Sequence, residues 1–505
     1  METFIIVFYL SILILMSIYG INRYYTIYLF KKHRHDKITP LSEFKKLPRV
    51  TIQLPVFNEK YVVERLIDYV VNIRYPRELL EIQVLDDSID ETREIAQKKC
   101  KEKKSEGYNI KYIHREDRTG FKAGALENGM NLTKGEFIAV FDADFLPPAD
   151  FLERTIHFFT DKKIGMIQAR WDHVNRRYSL LTECQSILLD GHFMIEHTAR
   201  NRSGRFFNFN GTAGIWRKET IIDAGGWQHD TLTEDLDLSY RAQLRGWNFI
   251  YLPDLTVPAE LPIEMTAFKS QQFRWAKGSI QTFLKLKGMI LKADIPFRVK
   301  LEAFFHIGAN YMYALMVLLT VLMPVILVIR FERGYKHLAF LDVPIFICAT
   351  LSVFMFYFYT EYIVIKETLS VQNRSATRPL AFLPFVVAIG IGLCINNSKA
   401  VIEAVLHKQS PFNRTPKYNV SDSGNNSVSE RMKHLVDNVY RTRKLDWVTI
   451  IEFILAIYMS YAVYFTYKNE LFLSLPLIVL FQIGFFYTSM LSIMQTPLSI
   501  FNRHK

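Results

Sequence analysis

The 505-residue sequence is poor in cysteine: it has only four, and none form a C-x-x-C pair. This wide spacing excludes a closely spaced redox or metal-binding pair and indicates reduced, mostly buried thiols. The sequence also lacks an internal repeat and the G-x-x-x-x-G-K-[ST] spacing of a Walker loop. A repeat architecture and a P-loop nucleotide site are therefore not expected.

Charge is absent from residues 4–21, FIIVFYLSILILMSIYGI. As a helix, this run is about long enough to cross ~30 Å of hydrocarbon. No basic stretch precedes it and no small-residue cleavage site follows, which disfavours a cleaved signal peptide. We therefore predict a retained N-terminal transmembrane helix within residues 1–30.

Long apolar runs return in the last two hundred residues, and residues 301–505 are predicted to form C-terminal transmembrane helices. Four stretches are long enough to span: 304–329, 341–365, 447–467 and 471–494. The shorter stretch 380–394 is consistent with a re-entrant, an interfacial or a tight spanning segment.

Lysines and arginines cluster after the first apolar run, ahead of residue 447 and at the chain end. The positive-inside rule places all three groups in the cytoplasm, provided that 380–394 does not cross fully. The net charge of +12 then reflects membrane topology and anionic lipid, and no nucleic-acid partner is expected. We predict an integral protein of the inner or plasma membrane whose middle domain, residues 31–300, is cytoplasmic.

Strand and helix signals alternate between about residues 48 and 300. Alternation of this kind predicts a Rossmann-like α/β fold with a mostly parallel sheet and helices on both faces. Ligands bind such sheets at the carboxyl ends of the strands, and acidic residues follow two of the predicted strands. Asp86 and Asp87 end one strand, and Asp142 and Asp144 follow the run FIAVF.

Two carboxylates one residue apart after a buried strand suit Mg²⁺ or Mn²⁺, with substrate phosphates supplying further ligands. A turn with helix-capping acids is the alternative interpretation of Asp142 and Asp144. Lys122, between two glycines at a helix start, is a weak phosphate-site signal. In QQFRW, Arg274 offers a cation and Trp275 a flat face for a sugar ring, although a membrane-interface Trp is equally compatible.

The segment TLTEDLDLSY, residues 231–240, concentrates acids ahead of an apolar helix. Acids near a helix start are favoured by its dipole, which accounts for Glu234 and Asp237. The alternative interpretation of this acidic segment is a catalytic base held next to an anionic substrate.

The motifs DDS, DAD, TED and QQFRW occur in one order that resembles family 2 glycosyltransferases of the cellulose synthase superfamily. The resemblance is greatest to the cellulose synthase-like A and C group, the mannan and glucan synthases, and their bacterial relatives. It covers roughly residues 49–300 and extends more loosely into the membrane half. It implies an inverting, metal-dependent GT-A hexosyltransferase whose catalytic domain is inserted between transmembrane helices in a polytopic membrane protein.

The resemblance also implies a role for each matching residue. The base would be Asp235, and Mg²⁺ or Mn²⁺ would be held by Asp142 and Asp144. The nucleotide sugar would be bound by Asn58, Glu59, Asp86, Asp87, Lys122 and Arg274. The acceptor would be bound by Asn210, Gly211, Thr212, Glu234, Gln271 and Trp275. The gating loop, within residues 403–446, would contribute Phe412, Thr415 and Lys417.

The gating-loop match is imperfect, because Arg414 and Tyr418 stand where the family pattern F-x-V-T-x-K-G has Val and Gly. This departure leaves the gating role open. Two amphipathic segments, 179–197 and 280–292, are consistent with interfacial helices that hold the active site at the membrane or with core helices.

The expected reaction moves a hexose from UDP-glucose or GDP-mannose to a growing β-glycan, processively and coupled to secretion. A non-processive transfer to a lipid acceptor, such as a polyprenyl phosphate or a ceramide-like lipid, is the alternative. A transporter or scaffold is disfavoured, because the spans lack clear intramembrane charges or paired repeats. The predicted partners are a nucleotide-sugar donor, a polysaccharide or glycolipid acceptor and membrane lipids.

Overall fold

The computed structural model describes residues 2–334, 347–369, 379–410, 414–422 and 446–496. Its soluble part is built on one seven-stranded sheet with the strand order β3-β2-β1-β4-β6-β5-β7. The strands are β1 (Val50–Val56), β2 (Leu80–Asp86), β3 (Ile110–His114), β4 (Phe137–Val140), β5 (Ile164–His173), β6 (Gly214–Arg217) and β7 (Asn248–Ala259). Only β6 runs antiparallel to its neighbours, so the predicted mostly parallel sheet is confirmed.

Helices cover the sheet and extend from it. From the N-terminus they are α1 (Glu2–His33), α2 (Val63–Val71), α3 (Thr92–Ser105), α4 (Phe121–Leu132), α5 (Phe151–Thr155), α6 (Leu180–Asp190), α7 (Thr198–Arg202), α8 (Lys218–Asp223), α9 (Glu234–Leu244), α10 (Met265–Lys292) and α11 (Phe297–Gly308). A π-helix, Gly191–His197, joins α6 to α7. Short 3₁₀ segments occupy Arg77–Leu79 and Ile156–Thr160.

The central strands are buried on both faces, as expected for parallel strands covered by helices on each side. In β1, Val50, Ile52 and Leu54 are completely buried in the larger core cluster. The opposite face of β1 carries Gln53, which donates to Gln83 Oε1 on β2 at 3.1 Å. This hydrogen bond gives Gln53 Nε2 and Gln83 Oε1 a partner inside the buried sheet.

The membrane half contains the remaining helices. They are α12 (Tyr311–Glu332), α13 (Ser352–Leu369), α14 (Leu383–Gly392), α15 (Cys394–Val405), α16 (Trp447–Lys468) and α17 (Leu475–Gln495). A π-helical turn, Ile347–Leu351, precedes α13, and a 3₁₀ turn, Pro379–Phe382, precedes α14.

Five helical stretches in the described ranges are long and apolar enough to cross a membrane: Glu2–His33, Tyr311–Glu332, Ile347–Lys366, Trp447–Lys468 and Leu475–Gln495. These correspond to the five predicted spans. The span predicted at 304–329 begins too early. Residues 304–308 belong to the end of α11, and a turn at residues 309–310 separates that helix from α12. Residues 341–346 of another predicted span lie outside the described residues.

The segment 380–394 forms the first part of a bent pair, Leu380–Gly392 and Cys394–Val405, with a 40° bend. Its close packing against α17 depends on small residues: a Cβ on Gly484 would lie 2.2 Å from the carbonyl oxygen of Ala388. Whether this pair crosses the membrane stays a prediction.

Candidate active site

One cleft of about 220 Å³ lies at the carboxyl ends of β1, β2 and β4. Its walls are completed by the start of α9, the first half of α10 and the segment 414–417. The predicted residues that line it are Glu59, Asp87, Lys122, Asp142, Asp144, Asn210, Gly211, Glu234, Asp235, Gln271, Arg274, Trp275, Thr415 and Lys417. Asn58, Asp86 and Thr212 are not part of its lining, and Phe412 lies outside the described residues.

The acids after β4 each face a lysine. Lys122 Nζ donates to Asp142 Oδ1 and, at 2.9 Å, to the carbonyl oxygen of Gly211. Lys417 Nζ lies 2.7 Å from Asp144 Oδ2, which also accepts the backbone N–H of Glu260 at 3.2 Å. The two ammonium groups therefore supply positive charge where a divalent cation would otherwise bind.

This donor set fits Mg²⁺ or Mn²⁺. Among the described residues no group of three or more His, Cys, Asp or Glu side chains converges on one point. Two carboxylates are sufficient for these cations when diphosphate oxygens and water complete the coordination, so Asp142 and Asp144 could hold a cation together with a bound substrate.

Asp235 faces the same cleft from the first turn of α9. Gly211, with φ +80°, brings the opposite wall close: a Cβ there would lie 3.0 Å from Asp235 Oδ2 and 3.3 Å from Lys122 Nζ. Only glycine adopts this backbone conformation readily and leaves this space open. The loop at Gly211 therefore contacts both Asp235 and Lys122, and Lys122 in turn contacts Asp142.

The electrostatic environment raises the pKa of two acids in the cleft, Asp235 and Glu234. Burial, reinforced by the neighbouring charge of Glu234, raises the pKa of Asp235 to about 7, although Lys122 opposes the shift. Burial also raises the pKa of Glu234. A carboxylate with a pKa near the working pH is well suited to act as a general base.

Asp237, two residues further along α9, lies outside the cleft and is buried. Its Oδ2 lies 2.8 Å from Arg241 Nη2, and its Oδ1 lies 3.0 Å from Lys285 Nζ. Breaking such a buried pair is costly, so Asp237 stabilises the helix and its surroundings.

The outer end of the cleft combines cations, acids and aromatic rings. Asp87 makes a two-point ion pair with Arg115, whose Nε lies 2.8 Å from Oδ1. The guanidinium of Arg118 stacks 3.3 Å from the centre of the Phe57 ring. Burial raises the pKa of Glu59 to about 8 despite the opposing charge of Arg414. These groups form a wall that can face a nucleotide.

The three predicted residues outside the lining hold the loops in place. Asn58 accepts the backbone N–H of Ile89 at 3.0 Å and so ties the loops after β1 and β2 together. Asp86 accepts a hydrogen bond from Tyr112 Oη at 2.6 Å and is completely buried. Thr212 Oγ1 accepts the backbone N–H of Asp142 at 2.9 Å. These three side chains therefore support the loops that surround the cleft.

Glu260, which was not predicted from the sequence, holds the segment 414–422 beside the cleft. Its carboxylate accepts the backbone N–H of Tyr418 at 2.7 Å and that of Val420 at 3.2 Å. Arg274 Nη2 donates to Thr415 Oγ1 at 3.1 Å. The available signal was an acid directly after the last strand, at the sheet edge where the other acids lie.

A mostly parallel sheet with one antiparallel strand, and with paired acids and a separate acid in a cleft at its carboxyl edge, has the architecture of a GT-A glycosyltransferase. A family model described as "glycosyltransferase like family 2" matches residues 48–278. Glucomannan 4-beta-mannosyltransferase 1 of Cyamopsis tetragonoloba is 33% identical over 435 residues, which cover 83% of this chain and 77% of that protein. The chain belongs to glycosyltransferase family 2 within the cellulose synthase superfamily, and it is a hexosyltransferase.

Other relatives match over a shorter range. Glucomannan 4-beta-mannosyltransferase 2 of Arabidopsis thaliana is 43% identical over 266 residues, about half of each chain. A solved mannosyltransferase from Pyrobaculum calidifontis, in complex with GDP-Man and Mn²⁺, superposes with a TM-score of 0.52 at 18% identity. The superposition covers 79% of this chain and 99% of that one, and it shows the shared fold.

Proposed function

We propose that the enzyme transfers a mannosyl residue from GDP-mannose to the growing end of a β-linked mannan or glucomannan, with inversion at the anomeric carbon. The observation that carries the proposal is the convergence of Asp142, Asp144, Lys122, Arg274 and Asp235 on one cleft. The sugar is inferred from the relatives, which are named glucomannan 4-beta-mannosyltransferases. The donor is inferred from the complex of the Pyrobaculum enzyme with GDP-Man.

In the proposed reaction an acceptor hydroxyl attacks the anomeric carbon opposite the diphosphate. Asp235 takes the hydroxyl proton as the new bond forms, because a neutral hydroxyl is a weak nucleophile. The bond from the anomeric carbon to the diphosphate breaks, and GDP departs with the bonding electrons. Lys122 and Arg274 stabilise the charge that builds on the diphosphate. A divalent cation held by Asp142 and Asp144 would supply further positive charge.

We also propose that the product is extended processively and passed into the membrane half. Support comes from α10, which carries Gln271, Arg274 and Trp275 in the cleft. Two residues before Gln271, Lys269 forms a buried ion pair with Glu452 on α16. The helix that lines the acceptor side is thus attached directly to a candidate membrane span.

The test uses the full chain in lipid nanodiscs with Mn²⁺ or Mg²⁺ and radiolabelled GDP-mannose or UDP-glucose. We expect label from GDP-mannose in an alkali-insoluble polymer that an endo-β-mannanase degrades. Label extracted into organic solvent would instead identify a lipid acceptor. Incorporation from UDP-glucose alone would contradict the proposed donor, and no incorporation from any nucleotide sugar would contradict the proposed reaction.

A further inference from the structure

A π-helix beside the active site presents two histidines to one loop. His192 and His197 lie five residues apart in the π-helix Gly191–His197. Because a π-helix bonds residue i to i+5, side chains at that spacing project to one side. The two imidazole rings accordingly lie 4.2 Å apart, centre to centre. π-Helical turns occur frequently at functional sites, so this pair is a candidate for a role in the reaction.

Both rings hold the side chain of Asn210, which lines the cleft. His197 Nε2 lies 2.6 Å from Asn210 Oδ1, and His192 Nε2 lies 3.0 Å from Asn210 Nδ2. The backbone N–H of Asn210 donates to Gln168 Oε1 at 3.0 Å. Asn210 is therefore held at three polar atoms.

The partners of the two rings define which nitrogen carries each proton. An amide nitrogen only donates, so His192 must accept through Nε2 and carry its proton on Nδ1. Glu196 Oε2 lies 3.1 Å from that Nδ1 and can accept the proton. Burial raises the pKa of Glu196, but the charges of Arg23 and Arg200 outweigh it and hold the pKa well below its usual range. Glu196 thus orients His192 as an acceptor for Asn210.

The position of Asn210 controls the next residue in the chain. The carbonyl oxygen of Gly211 accepts a hydrogen bond from Lys122 Nζ at 2.9 Å. Gly211 also lies against Asp235, so a Cβ there would be only 3.0 Å from Asp235 Oδ2. A small shift of this loop would change the distance between the base and the cation that faces the diphosphate. Misplacement of reacting groups by about 1 Å can cost ~10²-fold in rate.

We propose that His192 is a positioning residue for the acceptor side of the active site. By accepting a hydrogen bond from Asn210, it fixes the loop that holds Gly211 against Asp235. This inference rests on the proposed function, in which Asp235 takes the acceptor proton.

The experiment compares steady-state transfer by the full chain in nanodiscs with four variants: His192→Phe, His192→Gln, Asn210→Ala, and His192→Phe combined with Asn210→Ala. We expect His192→Phe to lower kcat about tenfold, since one lost hydrogen bond is equivalent to about that factor. The donor KM should stay within about twofold, because the nucleotide wall is untouched. Gln can still accept from Asn210, so His192→Gln should keep most of the wild-type kcat.

The double variant decides between positioning and general packing. If His192 acts through Asn210, adding His192→Phe to Asn210→Ala lowers kcat no further. The proposal would be overturned if the double variant lost kcat by the product of the two single losses. It would also be overturned if His192→Phe kept the wild-type kcat, or if His192→Gln and His192→Phe lost kcat equally. If thermal unfolding shows that His192→Phe does not fold, His192→Gln is compared with Asn210→Ala instead. An equal loss of kcat in these two variants would then overturn the proposal. A wild-type enzyme that transfers no sugar would instead refute the proposed function.

Discussion

At the scale of single residues, three acids in the first turns of α9 have three different environments. Asp235 faces Gly211 across the cleft, Glu234 raises the pKa of Asp235, and Asp237 is buried in ion pairs with basic side chains. The helix dipole favours all three, so local sequence alone does not separate them. Burial and the direction of each side chain determine which acid can accept a proton.

Replacing Asp235 with Asn should abolish transfer while leaving donor binding nearly intact. We expect kcat to fall on the order of 10²-fold or more, the usual scale for a positioned base. Sugar transfer and GDP binding by calorimetry would be measured on the same preparation. Asp230→Asn is the matched control, because its side chain is 57% exposed and should tolerate the change. Full activity of Asp235→Asn would refute its assignment as the base.

The pH dependence of kcat/KM should report the ionisation of Asp235. Only the ionised carboxylate can take a proton, and its pKa is raised to about 7. Activity should therefore fall about tenfold per pH unit below that value and level off above it. Glu234→Gln removes a charge that raises this pKa, so its acid limb should shift to lower pH. An unshifted or oppositely shifted limb would contradict the coupling.

At the scale of elements, the segment 414–422 contributes Arg414, Thr415 and Lys417 to one wall of the cleft. Glu260 at the end of β7 holds two of its backbone N–H groups, and Lys417 reaches Asp144. Arg414 reaches Glu59 with an ion pair of 2.8 Å. The departure from the family pattern at Arg414 thus places an additional cation beside the nucleotide wall.

Lys417→Met should increase the affinity of the donor-free enzyme for Mn²⁺. Lys417 and the cation compete for Asp144, and both lysine and acid are largely buried. We expect Kd to fall at least about fivefold, because an opposing charge is removed from the site. Electron paramagnetic resonance titration of Mn²⁺ measures this without turnover. Lys408→Met is the control, because the Lys408 side chain is 68% exposed. An unchanged Kd in Lys417→Met would disprove the competition.

At the scale of the whole molecule, ion pairs join the catalytic part to the membrane helices and the membrane helices to one another. Glu196 on the π-helix pairs with Arg23 on α1, and Arg176 pairs with Glu361 on α13 at 3.0 Å. At the far end of α1, Glu2 pairs with Arg333 at the end of α12, so these two helices run antiparallel. The active site is therefore supported from several candidate spans at once.

The predicted topology can be tested with single cysteines at two exposed positions. Ile89 in the catalytic part is 85% exposed, and Leu473 in the turn between α16 and α17 is 80% exposed. The basic residues before α16 should keep that end cytoplasmic, so residue 473 should lie outside. A membrane-impermeant maleimide should label Ile89→Cys, but not Leu473→Cys, in inside-out vesicles. Wild-type vesicles give the background from the native thiols, and labelling of both variants from one face would contradict the topology.

The order of the motifs, the strand ends that carry Asp87, Asp142 and Asp144, and the apolar spans were all predictable from sequence. Each is encoded within a short contiguous stretch, by periodicity or by local residue type. The tertiary structure alone decided how distant residues are used. Glu260 lies 158 positions before Tyr418, yet holds its backbone, and Asn58 and Asp86 turn inward to hold loops. Hydrogen bonds and burial depend on packing between remote segments, and no local pattern specifies those partners.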